Sequence, residues 1–160
     1  VAGCMGFVPE QPFLYGELTV GETLDFVAEA RGIARASARA EGERLLALLG
    51  MPGADSLLCR ELSQGMGRKV ALCVALMHGP ELIVLHEGFN GLDQASAVRL
   101  ADELESRRSE GAAVIMSSHD LRFLADHCQR GLLLAPDATA MPLDGDAWER
   151  WRTEPGLEVV

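Results

Sequence analysis

The chain has 160 residues, 48% of them hydrophobic, and its 24 Asp and Glu against 14 Lys and Arg give a formal net charge of -10. This length and composition predict one globular domain with a real core rather than a disordered chain. The acidic balance speaks against a nucleic-acid binder, which needs many cations to neutralise phosphates, and no apolar run approaches the roughly 18 residues of a membrane-spanning helix. Because the chain begins with Val1, we expect a processed protein or a piece of a longer one.

Three elements are predicted in the first third of the chain. Residues 3–8 are typical of a short strand. Thr19 and Glu22 fit a capping box, in which the hydroxyl and the carboxylate each accept a free amide at a helix start. That helix should run to about Arg31, and a second helix is predicted from about 36 to 49.

Helices and apolar runs alternate along the rest of the chain. Ser63 is the predicted N-cap of a helix that ends near Met77. Continuous apolar runs suit strands that are buried on both faces of a parallel sheet. Such runs cover 82–85, 112–116 and 132–135, with helices predicted at 94–110, 121–128 and 144–152. This rhythm predicts an α/β fold with a doubly wound parallel sheet.

A polar turn, Leu62-Ser63-Gln64-Gly65-Met66, opens the helix that follows it. The Ser hydroxyl and the free backbone amides lie at the positive end of a helix dipole, where they suit an anion such as a phosphate. An ordinary N-cap explains the same residues. The turn alone leaves both interpretations open.

Polar side chains also follow two of the apolar strands. His86 and Glu87 end the strand that begins at 82, at the edge where open α/β sheets bind their ligands. Glu87 is a candidate catalytic base, and His119 follows the next strand. No metal site is predicted, because the four cysteines and four histidines lack the spacing of metal ligands.

The order of these motifs resembles that of the ATP-binding cassette (ABC) ATPases. The turn of Ser63, Gln64, Gly65 and Met66 is similar to the signature motif in its exporter-type form, L-S-x-G-M. Asp93 is similar to the family's D-loop residue. The resemblance implies that both elements contact a nucleotide held by the second cassette of a dimer.

Three other motifs extend the resemblance. His86-Glu87 is similar to the end of the Walker B strand, with Glu87 in the catalytic position and His86 where the family has the Asp that orients Mg²⁺. His119 resembles the catalytic switch histidine, which contacts the γ-phosphate. Pro9 is followed by Glu10 and Gln11, and either of these can correspond to the Q-loop glutamine. An imidazole is a poor substitute for the Asp, because Mg²⁺ prefers oxygen ligands.

The resemblance implies a P-loop NTPase-like parallel sheet flanked by helices, with an inserted helical signature subdomain. Residues 1–160 would form one partial ABC ATPase domain. Its helical subdomain would cover about 19–77 and its sheet core 1–18 and 78–143. Residues 144–160 would form a C-terminal helix and tail.

No G-x-x-x-x-G-K-[ST] phosphate-binding loop, the Walker A motif, occurs in the sequence, whose single lysine is Lys69. In the family this loop precedes the Q-loop, so the resemblance places it before Val1. We therefore expect an incomplete cassette that hydrolyses no ATP in isolation. ATP and Mg²⁺ are expected cofactors only where a Walker A motif, the chain's own or its partner's, is intact.

The resemblance implies the ATP-hydrolysing subunit of an ABC exporter, paired with a second cassette and with a separate membrane permease. Such a subunit would be cytoplasmic and would reach the inner face of the cell membrane only through the permease. One alternative is a non-catalytic cassette that completes another subunit's ATP site. Another is a soluble ABC protein of translation or DNA repair, which the charge of -10 disfavours.

Overall fold

The computed structural model of the protein describes residues 4–134 and 139–153. They form two compact units, the first ending at Ser117 and the second beginning at Ser118, and each has its own hydrophobic core. Gly3 and Ala135, at the ends of predicted strands, lie outside the described residues, as does the predicted tail after Thr153.

The first unit alternates helices with three strands. In chain order it contains β1 (Met5–Val8), α1 (Val20–Ala30), α2 (Arg35–Leu48), α3 (Gln64–Leu76), β2 (Leu82–His86), α4 (Gln94–Ser109) and β3 (Ala113–Ser117), with 3₁₀ turns at Ala54–Ser56 and Cys59–Glu61. The predicted capping box of α1 is confirmed, because the Thr19 amide donates to Glu22 Oε2 at 2.8 Å and the Glu22 amide donates to Thr19 Oγ1 at 3.1 Å. The predicted helices of this unit therefore form where their local signals place them.

The three strands form one parallel sheet in the order β1-β2-β3. Val8 is in register with Leu85, and His86 with Ser117. Because parallel strands share a direction, their carboxyl ends meet at one edge. That edge carries the loop after β1, with Glu10 and Gln11, and the end of β2 and the turn after it, with His86 and Glu87. The predicted α/β fold with a parallel sheet is confirmed.

One face of this sheet packs against the helices, and burial follows the period of a strand. Ile83 and Leu85 of β2 are fully buried, as is Val8 of β1. Phe7 and Ile115 lie at least half exposed on the described surface. The prediction of burial on both faces is therefore wrong for β3, because the helices of this unit cover one face only.

The second unit contains α5 (Leu121–His127), β4 (Gly131–Leu134), β5 (Ala140–Leu143) and α6 (Gly145–Thr153). The sequence pattern places β4 in the parallel sheet, but in the structure it pairs antiparallel with β5. The apolar run predicted a strand correctly and its partner wrongly. Trp148 and Trp151 of α6 are buried and stacked, with ring centroids 5.1 Å apart, and they pack with Ala125 and Leu143.

None of the helices in the described ranges is both long enough and apolar enough to cross a membrane.

Candidate functional site

Ser63 is the N-cap of α3, as predicted. Its backbone is extended, and its Oγ accepts a hydrogen bond from the Met66 amide at 3.3 Å. The amides of Gln64 and Gly65 lie in the first turn, where a helix supplies no acceptor for them. Ser63 and Gln64 are exposed, so this end of the helix dipole is open to an approaching anion.

Gly65 lies against the turn that precedes α4. A Cβ at this position would lie 2.6 Å from the carbonyl oxygen of Gly91, closer than real contacts allow. A glycine is therefore needed here for close packing, whether or not a phosphate binds. The sequence pattern did not indicate this requirement, because Gly65 and Gly91 are far apart along the chain.

Asp93 follows the Gly91 turn and caps α4. Its Oδ1 accepts from the Ser96 amide at 2.9 Å, and its Oδ2 lies 2.6 Å from Lys69 Nζ of α3. The hydrogen bond from Lys69 is the largest cause that holds the pKa of Asp93 below its usual range. The helix that begins with the predicted signature turn and the turn that leads to Asp93 are thus joined within one unit, by the close approach of Gly65 to Gly91 and by the Lys69–Asp93 ion pair.

His86 ends β2 and contacts both neighbouring segments. Its Nδ1 is 2.7 Å from Ser117 Oγ of β3, and its Nε2 is 3.9 Å from Glu10 Oε2 in the loop after β1. The second contact is an ion pair only when the imidazole is protonated. His86 is about half exposed, at 54% of its side-chain surface. The structure therefore brings together two predicted site residues, Glu10 and His86.

Glu87 has a left-handed backbone, with φ 52°, and only 4% of its surface is exposed. Its amide donates to the Ser117 carbonyl at 3.0 Å, and its own carbonyl accepts from the Asn90 amide at 3.1 Å. This conformation is costly for a residue with a Cβ. The tight turn holds Glu87 at the carboxyl end of the sheet, as predicted, and its catalytic role stays a prediction.

The sequence reasoning missed Arg68, which is 4% exposed. From α3, its Nη1 donates to the Pro9 carbonyl at 2.7 Å and its Nη2 donates to the Glu10 carbonyl. Burial is the main cause that lowers its pKa. One signal could have found it: Arg68 precedes Leu72 and Leu76 by four and eight residues, on the face of the helix that is buried.

The loop after β1 and the start of α3 line a common cleft of about 360 Å³. Its lining includes Glu10 and Gln11 of the loop, Ser63 and Gln64 at the start of the helix, and Arg68. Four of the predicted site residues therefore share one cavity. Met66 is half-buried nearby, with its amide engaged by Ser63.

His119 belongs to the second unit, where it is exposed just before α5. The adjacent Asp120 caps that helix, its Oδ1 accepting from the Phe123 amide at 3.0 Å. The position after β3 agrees with the predicted strand context. Its catalytic role stays a prediction.

The described residues do not fit a Mg²⁺ site on their own. Among them no group of three or more His, Cys, Asp or Glu side chains is arranged to hold a metal ion. Mg²⁺ prefers oxygen ligands, whereas His86 offers a ring nitrogen, and its other nitrogen is engaged by Ser117.

Comparisons with known proteins give a family match for the chain. Residues 2–90 match the sequence profile of the family described as ABC transporter. An uncharacterised ABC transporter ATP-binding protein of Methanocaldococcus jannaschii is 31% identical over 134 residues, which cover 84% of this chain and 51% of that protein. The ABC-type transporter ATP-binding protein EcsA of Bacillus subtilis is 30% identical over 128 residues, covering 80% of this chain and 52% of that protein.

A solved structure, described as that of an ATP binding subunit of an ABC transporter, superposes with a TM-score of 0.77 at 28% identity. The superposition covers 81% of this chain and 54% of the other. The chain therefore spans about half the length of the curated relatives and of the solved structure that it matches.

Proposed function

Because the chain belongs to the ABC transporter ATP-binding family, we propose that it is part of the ATP-hydrolysing subunit of an exporter, working with a separate membrane permease. The observation that carries the proposal is the exposed Ser63 turn at the start of α3, packed against the Asp93 turn. A ligand of this turn needs negative charge, as the γ-phosphate of ATP has. The exporter-type L-S-x-G-M pattern supports the direction of transport.

In this proposal the Ser63 turn acts on a nucleotide bound by a second cassette. Ser63 and Gln64 are exposed, and Gly65 and Met66 hold the turn in place. Asp93, which is also exposed, would cross to the same partner. The second cassette is another copy of this protein or a related chain.

The end of β2 and the loop after β1 would serve the chain's own nucleotide. Glu87 would orient the attacking water, and His119 would contact the γ-phosphate. Glu10 or Gln11 would link this end of the sheet to the helices. His86 weakens the site, since it supplies no carboxylate where the family has one. Both ATP and Mg²⁺ would require an intact Walker A motif.

The permease would dock on the helical region of about 19–77. The protein would then be cytoplasmic and would reach the membrane through that partner. The absence of a membrane-spanning helix among the described residues is compatible with this arrangement.

The test uses the natural full-length protein and measures ATP binding, ATP hydrolysis and co-purification with a permease. We expect hydrolysis that falls at least tenfold in Glu87→Gln, with binding retained. His86→Asp should raise turnover strongly, because it restores the carboxylate. A full-length protein that neither binds ATP nor associates with a permease would refute the proposal.

A second candidate function is a helper cassette that completes a partner's site without hydrolysing ATP itself. The contacts of His86 favour it, because the ring bonds to Ser117 and faces Glu10 instead of leaving a carboxylate for the metal. In a mixed dimer with an active cassette, Ser63→Arg should then abolish the partner's hydrolysis. Unchanged hydrolysis in that dimer would exclude the helper function.

A further inference from the structure

We propose that Arg68 and Lys69, consecutive residues of α3, are positioning residues that fasten two separate loops to the helix of the Ser63 turn. The pair is called the α3 bracket here. The effect of the bracket on ATP hydrolysis rests on the proposed function. The bracket itself rests only on contacts within the first unit.

The Arg68 half holds the loop after β1. A guanidinium with 4% exposure is costly unless its donors are satisfied, and here two of its nitrogens reach the consecutive carbonyls of Pro9 and Glu10. A planar guanidinium presents two donors to two neighbouring acceptors in a fixed geometry, which a single ammonium on a flexible stem does not reproduce. The partners lie 59 and 58 residues away along the chain, so the contact ties distant segments together.

The Lys69 half holds the turn before α4. Lys69 Nζ lies 2.6 Å from Asp93 Oδ2, and only 12% of the lysine side chain is exposed. Neighbouring residues of a helix point about 100° apart. Two adjacent side chains can therefore reach loops on different sides of α3, as these do.

The bracket gives the Ser63 turn a connection to both loops. Ser63 caps the same helix five residues before Arg68, and a helix of this length moves as a rigid element. A shift of the turn, such as a bound phosphate would favour, must then carry the Glu10 loop and Asp93 with it. The Glu10 carboxylate faces His86 at 3.9 Å, so the movement reaches the end of β2.

The structural test compares Arg68→Met and Lys69→Met in the full-length protein without nucleotide. A glutamate-specific protease measures release of the exposed Glu10 loop, and hydrogen exchange of residues 94–97 measures release of the start of α4. We expect cleavage after Glu10 to rise about tenfold in Arg68→Met only, and exchange at 94–97 to rise about tenfold in Lys69→Met only. Arg108→Met, which breaks an exposed ion pair with Glu105 at the far end of α4, should change neither.

Arg68→Lys separates positioning from bulk stability. One ammonium can replace one of the two hydrogen bonds, so cleavage after Glu10 should fall between that of the wild type and that of Arg68→Met. The bracket is refuted if either variant releases both segments equally, as general unfolding would, or releases neither.

The functional test measures ATP turnover in the same variants. Arg68→Met should lower maximal turnover about tenfold and change the ATP concentration for half-maximal rate less than twofold, with Arg68→Lys intermediate. Unchanged turnover in Arg68→Met would refute its role in the ATPase. If the wild type shows no ATPase, the proposed function fails, and the cleavage and exchange pattern still decides whether the bracket exists.

Discussion

Gly65→Ala should destabilise the protein by forcing α3 away from the Gly91 turn. The added Cβ would lie 2.6 Å from the Gly91 oxygen, and an ordinary contact begins near 3.4 Å. The backbone of α3 fixes the position of the Cβ, and the oxygen belongs to the backbone of the turn, so the helix and the turn must separate by most of an ångström. Overpacking of this kind costs about 1–3 kcal/mol, and the better helix propensity of alanine offsets up to about 1 kcal/mol. We expect a net loss of about 1–2 kcal/mol.

Gly67→Ala provides the matched control, two residues further along the same helix. Its Cβ would meet only Leu14 Cδ1, at an ordinary 3.9 Å, so it should stabilise the protein by about 0.5–1 kcal/mol. Urea unfolding followed by circular dichroism measures both, and the two midpoints should move in opposite directions at constant m-value. If Gly65→Ala is as stable as Gly67→Ala, the close approach of α3 and the Gly91 turn is wrong.

Three further properties can be measured in the same protein. Arg107→Met should lower the free energy of unfolding by about 1–3 kcal/mol, because this mostly buried arginine pairs with Glu41 at 2.7 Å. The control is Arg108→Met, which breaks an exposed ion pair with Glu105 and should leave the free energy of unfolding almost unchanged. The hydrogen bond from Arg44 is the largest cause that lowers the pKa of Glu41. The stability that this interaction contributes is present above about pH 4.3 and should be lost as the pH falls through the lowered pKa. In acid denaturation, Arg44→Met should make the free energy of unfolding depend less on pH. Burial raises the pKa of the Cys73 thiol, so a thiol reagent at pH 8 should label it only in urea; labelling of the native protein would contradict its burial.

The helices could be predicted because their signals are local. Thr19 with Glu22, and Ser63 before its helix, place a cap within three residues of its partner. The exposure of one face of β3 could not be predicted, because an apolar run does not reveal which neighbours cover it. The prediction that β4 joins the parallel sheet was wrong for a similar reason. The partner of a strand is set by tertiary contacts, and β4 pairs antiparallel with β5.

The place of each candidate site residue in its helix or strand end could be predicted, whereas their arrangement could not, and their roles stay predictions. The resemblance named Ser63, Glu87 and Asp93, and the structure shows what holds each of them. Arg68 is 59 and 58 residues away from its partners Pro9 and Glu10 along the chain. Sequence periodicity predicts contacts within a helix or strand, but not contacts between segments so far apart. The contact between the imidazole of His86 and the carboxylate of Glu10 could likewise not be predicted, because it forms only when the ends of the two strands lie side by side.

The left-handed backbone of Glu87 also has an evolutionary consequence. A residue with a Cβ costs about 1–2 kcal/mol in this region, whereas glycine adopts it freely. One nucleotide change converts a glutamate codon into a glycine codon, so a more stable variant lies a single mutational step away. A lineage that no longer used the carboxylate would gain stability by taking that step. Keeping a glutamate at this position therefore costs stability, a cost that the proposed role of its carboxylate would offset.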